Sequence, residues 1–229
     1  DIVNDLTTGG TAVPLSAEQG KVLKENSDTH IADTLKHKQA ASITQSGTLA
    51  NAEGNSTKAY GHYSHAECQG SAAHGAESHA EGYFTTAEGR ESHAEGYITT
   101  AYGDYSHAEG ISTTASRAAS HAEGYLTTAY GDYSHAEGYS TKADGKYAHA
   151  QNLGTLAQGF AQTAVGTYNV GQGSAVQNPT DNAFIVGNGT ADLDRSNAMS
   201  LTWSGDLALA GGVTAAGNVN IATGKKYKI

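Results

Sequence analysis

Ser-His-Ala-Glu begins at Ser64, Ser78, Ser92, Ser106, Ser120 and Ser134, and the interval is 14 residues every time. Self-similarity at one short period restricts a chain to repeat architectures, in which each unit packs only on its neighbours. Degenerate copies keep the frame at Ala50–Gly54, Ala148–Asn152 and Gln162–Gly166. A full unit, as in Ser120 to Tyr133, reads Ser-His-Ala-Glu-Gly-Tyr-x-Thr-Thr-Ala-x-Gly-x-Tyr. Ala recurs at unit positions 3 and 10 and Gly at 5 and 12. Two similar strands separated by two turns produce such a half-repeat of seven.

Helix is a poor match for this unit. It has no apolar stripe at 3.6-residue spacing, and its Gly, Thr and Tyr content disfavours helix. A coiled coil needs apolar a and d positions, which are absent. Fourteen residues instead suit one coil of a slim β-solenoid, with successive coils stacked as parallel strands ~4.8 Å apart. Composition taken alone points elsewhere. Leu, Ile, Val and Phe number 32 of 229 residues, and 23 Asp and Glu against 13 Lys and Arg give a net charge of −10 with all 11 His neutral. Such a balance is typical of disordered chains, and the repeat overrides it. Net acidity argues against nucleic acid as a partner. No apolar run approaches the ~20 residues of a membrane helix. The single Cys68 excludes an intrachain disulfide framework.

Neighbouring residues in a strand face opposite sides. Positions 1, 3 and 5 (Ser, Ala, Gly) are therefore expected on one face, and positions 8, 10 and 12 (Thr, Ala, Gly) on the matching face of the second strand. All are small, so the two strands can approach closely. Variable positions 9, 11 and 13 read as solvent-facing. Positions 2 and 4 form two columns on the outer face of the first strand. The column pairs are His65 and Glu67, His79 and Glu81, His93 and Glu95, His107 and Glu109, His121 and Glu123, and His135 and Glu137. Glu53 and His149 extend the two columns. A solvent face drifts in sequence and this one does not, so it is expected to lie against an equally regular partner, most simply two further copies of itself about a three-fold axis. Association would also supply the core that one chain lacks. Only seven Leu, Ile, Val or Phe occur between residues 50 and 160.

Three chemistries fit a His-x-Glu column. Charge-assisted hydrogen bonds across strands or chains form a structural ladder. Alternatively, N and O ligands gathered on an axis could hold a transition ion, although rungs ~4.8 Å apart would set neighbouring ions against each other. Finally, a general-base dyad is conceivable, but it would be repeated six times without a nucleophile or pocket. The ladder is the reading adopted, with no metal, cofactor or catalytic residue expected.

The Thr column (Thr57, Thr85, Thr99, Thr113, Thr127, Thr141, Thr155) invites a water-ordering reading. Parity turns it inward, where its hydroxyls are expected to bond turn backbone. Tyr83, Tyr97, Tyr125 and Tyr139 at position 6, with Tyr63, Tyr105, Tyr133 and Tyr147 at position 14, read as aromatic ladders near the turns. Those at position 6 are also candidate glycan contacts, since Tyr offers a flat face and a hydroxyl. Cys68 occupies a Gly position and reads as a buried reduced thiol.

Residues 1–49 differ in kind. Ser16-Ala17-Glu18-Gln19 is a capping-box pattern that opens a short helix to about Asn26. Asp28 caps a second, Thr29 to about Lys38. Residues 1–49 are read as a helical stalk or adaptor and residues 50–178 as the repeat. Residues 179–229 are read as a β-rich shaft or small domain. There Asn182–Gly187 and Asn197–Trp203 are strands, Ser204-Gly205-Asp206 is a turn, and Leu207, Leu209, Val213, Val219 and Ile221 alternate with small residues. The chain opens on Asp1 and stops after Tyr227-Lys228-Ile229 with no closing element, and is read as a fragment of a longer protein.

The Ala-x-Gly and Thr-x-Ala-x-Gly spacing resembles the head repeats of trimeric autotransporter adhesins. That resemblance implies a mainly β fold, a trimeric left-handed parallel β-roll. The adhesin slots beside Ala are aliphatic and face the trimer interior, where this chain places His107 and Glu109. The Ser-His-Ala-Glu-Gly variant more closely resembles repeats of phage and prophage tail fibres. Leu15-Ser16-Ala17-Glu18-Gln19-Gly20-Lys21-Val22-Leu23 resembles a linker helix of such fibres. Arg195–Met199 with Trp203–Asp206 resembles the segment they carry before a tip or chaperone domain.

The resemblance implies a virion component outside the cell: a homotrimer that joins other tail proteins through its N-terminal segment and meets a host receptor, a glycan by expectation. It involves neither nucleic acid nor membrane insertion. A bacterial adhesin head is the second reading. The third is a glycan-degrading spike, for which Glu88, Glu91 or Asp104 could supply carboxylates, although no pairing is visible in the sequence.

Overall fold

The structure, a computed structural model, describes residues 43–211. The helices expected at Ser16–Asn26 and Thr29–Lys38, and the alternation from Val213 to Ile221, lie outside those residues. The described residues contain no helix and form two parallel β-ladders. Long strands such as His65–Gln69, His107–Ile111 and His149–Leu153 stack in a 12-stranded sheet. Short strands such as Thr86–Ala87 and Thr114–Ala115 stack in a second sheet of nine. The chain alternates between the two sheets, so each 14-residue unit is one coil of a mainly β solenoid of about nine coils. At ~4.8 Å per coil the repeat rises about 43 Å. Register is strict: His107 lies opposite His93 and His121, and Glu109 opposite Glu95 and Glu123.

The core is a double column of alanines. Ala66, Ala80, Ala94, Ala108, Ala122 and Ala136 from the long strands, and Ala73, Ala87, Ala101, Ala115, Ala129 and Ala143 from the short ones, are fully buried. Ser64, Ser78, Ser92, Ser106, Ser120 and Ser134 are buried beside them. Each donates its hydroxyl to the carbonyl three residues back, at 2.6–2.8 Å. A serine thus satisfies a turn carbonyl that the closely packed sheets exclude from water.

Position 12 is glycine because coils touch there through backbone. A Cβ on Gly131 would fall 2.0 Å from the Gly145 carbonyl oxygen. Position 5 meets the next coil's backbone as closely, a Cβ on Gly124 falling 2.2 Å from the Gly138 carbonyl oxygen, and has a second reason for glycine. Its φ is about +105° to +115°, as at Gly138 and Gly54, a region costly for L side chains.

This turn corrects two expectations. Alternation fails at position 5, because the left-handed backbone rotates that residue outward instead of returning it to the Ser–Ala face. Cys68, with φ 75°, is accordingly a free and exposed thiol rather than a buried one. The threonines are inward, as parity requires, and fully buried. Yet the hydroxyls of Thr57, Thr85, Thr99, Thr113, Thr127 and Thr141 have no hydrogen-bond partner.

Only Ser71 and Thr155 at this position reach a turn carbonyl, those of Glu67 and Gln151. Both belong to coils that lack glycine at position 5, having Cys68 and Asn152, and carry it at position 7, as Gly70 and Gly154. Moving the glycine changes the turn and brings the position-4 carbonyl within reach. Phe84 and Tyr168 of the following coils then pack over those two glycines.

The last coil carries substitutions that fit the end of a coil stack. Gln162 replaces the position-1 serine and is fully buried. Its Oε1 accepts from the Gln158 and Gly159 amides, at 2.8 and 3.3 Å. Its Nε2 donates to the carbonyls of Gln172 and Asn182, at 2.8 and 2.7 Å. Asn169 replaces the position-8 threonine and bonds both the amide and the carbonyl of Leu156. These amides satisfy backbone groups that a further coil would otherwise pair. Asn182–Asn188 then joins the long-strand sheet parallel to Thr163–Thr167, and Asn197–Thr202 and Leu207–Leu209 follow antiparallel. Arg195 ties this segment to the coils through the carbonyls of Gly154 and Asn169.

Candidate functional site: the histidine–glutamate face

The columns expected at positions 2 and 4 exist. Parallel in-register pairing places each imidazole over the next, and His65, His79, His93, His107, His121, His135 and His149 form one continuous stack. Ring centroids are 4.7–4.9 Å apart and neighbouring planes lie within 7° of parallel. The glutamates form the adjacent column. Side chains in both columns are about one-third exposed.

Through the middle of the stack each imidazole faces carboxylates of its own coil and of the coil before. His79 Nε2 lies 3.8 Å from Glu67 and 4.0 Å from Glu81. His93 lies 3.9 Å from both Glu81 and Glu95, and His107 lies 4.0 Å from Glu95 and 3.8 Å from Glu109. These separations exceed hydrogen-bonding distance. The Nε2 atoms of His65, His79, His93, His107 and His121 are shielded from solvent and have no hydrogen-bond partner among the described residues. Only at the C-terminal end does the pair close, with His135 on Glu123 at 3.1 Å and His149 on Glu137 at 3.2 Å.

Burial pushes the pKa values of His79 and His121 down, and neighbouring imidazoles push the same way. The flanking glutamates oppose the shift without cancelling it.

Four groups could hold a cation. They are Glu67, His79 and Glu81; Glu81, His93 and Glu95; His107, Glu109 and His121; and Glu123, His135 and Glu137. Within each group the ligand atoms lie within 4.8 Å of one another. Divalent ions on adjacent rungs ~4.8 Å apart would repel by roughly 14 kcal/mol at ε ≈ 20, so the column cannot fill at every rung. Beside it runs an open groove of about 460 Å³, floored by Gly82, Gly96, Gly110 and Gly124 and walled by Glu81, Glu95 and Glu109. Cys68 lies at its edge.

The position-6 tyrosines line the first turn and are 38–49% exposed. Tyr83 stacks on Tyr97 and Tyr125 on Tyr139, each at 5.1 Å, with Ile111 between the pairs. Each pair uses one face of each ring on its partner. Glu88 and Glu91 are not brought together as a carboxylate pair. Glu88 pairs with His74 at 2.8 Å and Glu91 with Arg90 at 3.8 Å. Asp104 accepts the Arg90 amide at 2.8 Å.

Nothing in the repeat pattern signals the unpartnered Nε2 atoms, and the Gln162 and Asn169 cap is barely marked in it. The cap's only signal was two long amides standing where the repeat has Ser and Thr.

Fold and face together define a parallel β-solenoid of 14-residue coils with a stacked His–Glu face. Residues 2–33 match the family described as phage tail fiber repeats. The match falls on the segment whose Leu15–Leu23 stretch resembles a phage-fibre linker, and with the solenoid it fits a tail-fibre repeat protein, a structural component of a virion tail. No curated protein matches the chain.

Proposed function

We propose that this chain is a homotrimeric segment of a phage tail fibre, serving as spacer and host-surface adhesin without catalysis. Three copies would set their His–Glu faces around a common axis, on the plan of trimeric adhesin heads. The segment over residues 1–49 would join other tail proteins, and the fibre would act outside the cell on a host-surface glycan. The observation that carries this reading is the row of five buried imidazole nitrogens with no hydrogen-bond partner among the described residues. Buried polar groups are seldom left unmatched, and a neighbouring copy bears carboxylates at the same 14-residue repeat. An imidazole N–H of one copy could also donate to a glutamate carboxylate of the next. No described helix is long and apolar enough to cross a membrane.

The test is binding of fluorescently labelled full chain to a panel of bacterial cells. We expect saturable binding to some strains, competed by their extracted surface polysaccharide, with no release of reducing ends. Absence of binding across the panel would contradict the adhesin role. Progressive release of reducing ends would contradict the non-enzymatic one.

A further inference from the structure

Departures from a strict repeat single out residues that the fold itself does not require. From Gly47 to Gly159 every position-12 residue is glycine except Arg117. At this position coils meet through backbone, and a Cβ on Gly103 would fall 2.0 Å from the Arg117 carbonyl oxygen. The arginine disturbs its turn. Gly61, Gly75, Gly89, Gly131 and Gly145 donate their amides to an alanine carbonyl of the next coil, whereas the Arg117 amide turns to the Ser120 hydroxyl at 3.2 Å. Arg117 is exposed, whereas Gly61, Gly89, Gly103, Gly131, Gly145 and Gly159 are buried. Packing gives no reason for an arginine here.

Its side chain opens a groove of about 240 Å³ on the second turn, away from the His–Glu face, lined by Arg117, Tyr130, Asp132, Asp144, Lys146 and Gln158. The guanidinium lies 5.1 Å from the centre of the Tyr130 ring and 3.4 Å from its hydroxyl. Lys146 sits over Tyr147 at 5.1 Å. Among the described residues neither cation lies within 4.0 Å of Asp132 or Asp144. Two cations and two carboxylates therefore face one groove with their charges balanced, and apart from the Arg117–Tyr130 bond they hold no ion pair with one another. Carboxylates accept hydroxyl protons, Arg and Lys donate to hydroxyl oxygens, and a half-exposed Tyr gives an apolar edge. A neutral polyol ring uses all of these, whereas an acidic sugar would bring its charge against Asp132 and Asp144.

We propose that this groove binds a neutral hexopyranose unit of a surface polysaccharide. The inference rests on the host-surface reading above and gives that contact a place distinct from the position-6 tyrosines. Arg117→Gly restores the repeat and so separates binding from folding.

Saturation-transfer NMR on the full chain, with neutral gluco-, galacto- and manno-configured tetrasaccharides and tetragalacturonate, tests it. We expect at least one neutral sugar to bind and Arg117→Gly to weaken it about tenfold or more, as loss of a charge-assisted hydrogen bond does. The variant's melting temperature should stay at or above that of the parent. Asp132→Ala should weaken the same sugar. No neutral sugar binding, binding indifferent to Arg117→Gly, or preference for tetragalacturonate would each overturn the proposal. If cells bind parent and Arg117→Gly alike, the groove fails and the adhesin reading stands. If a neutral sugar binds through Arg117 while no cells bind, the groove stands and that reading fails.

Discussion

His135 and Glu123, one coil apart, meet at 3.1 Å, whereas the equivalent pair two coils earlier, His107 and Glu95, is open to 4.0 Å. The ladder is therefore closed at its C-terminal end and open through its middle. In the open part the imidazole nitrogens are shielded yet unbonded, and this is the property that calls for a second chain.

If the open rungs face other copies, the slots occupied by His107 and Glu109 should accept aliphatic side chains. His107→Val with Glu109→Ile should keep the oligomer and be neutral to stabilising by roughly 1–3 kcal/mol, as replacement of buried ionic groups by apolar ones often is. Light scattering and thermal melts of the double variant check this. Dissociation of the variant would place the face elsewhere.

Stability should fall in mild acid. His79 and His121 have pKa values lowered from the ordinary 6.5 in the folded chain, so the unfolded chain takes up their protons first. The stabilisation is complete above pH 6.5 and is lost as pH falls from there towards the lowered folded values. The groups that set this are His65, His93, Glu67 and Glu81 around His79, and His107, His135, Glu109 and Glu123 around His121. Melting temperature should drop between about pH 7.5 and about pH 5.5, and the drop should shrink in His79→Gln with His121→Gln. A flat profile in the parent would contradict the assignment.

Gly124→Ala should be severe for so small a change. It places a side chain at φ +106° and sets its Cβ 2.2 Å from the Gly138 carbonyl oxygen. A loss of about 2 kcal/mol or more is expected, measured by denaturant unfolding. Glu88→Ala, at a half-buried position, should cost far less, about 0.5 kcal/mol.

Gln162→Ser restores the repeat residue and removes the cap. Four hydrogen bonds to backbone go with it, for an expected loss of about 2–4 kcal/mol. Hydrogen exchange should show the protection lost first at the Gln158 and Gly159 amides. Unchanged protection there would contradict the capping role.

The coil, its two sheets and the His–Glu register were legible because parity and a 14-residue period are enough to place His107, Ala108 and Glu109. Parity holds only while the backbone stays extended. It failed at Cys68, where a left-handed turn residue points outward, and this could not be read without the φ that the Gly column conceals. The unbonded hydroxyl of Thr113 and the bonded one of Thr155 differ through the glycine at position 5 or 7, a trade visible in Gly110-Ile111-Ser112 against Asn152-Leu153-Gly154 but meaningless until the turns are seen. Gln162 and Asn169 read as decay of the repeat, when their longer side chains do the work of the missing coil. Arg117 was legible as an exception, but the groove beside it was not, since Asp132, Asp144 and Lys146 come from later coils.

The central claim is that the His–Glu face is completed by two further copies of the chain. Light scattering of the full chain at neutral pH tests it most directly. The expected mass is about 70 kDa, three times 23.5 kDa. A folded, stable species of 23.5 kDa would show that one chain tolerates its unpartnered imidazole row, and would contradict the account.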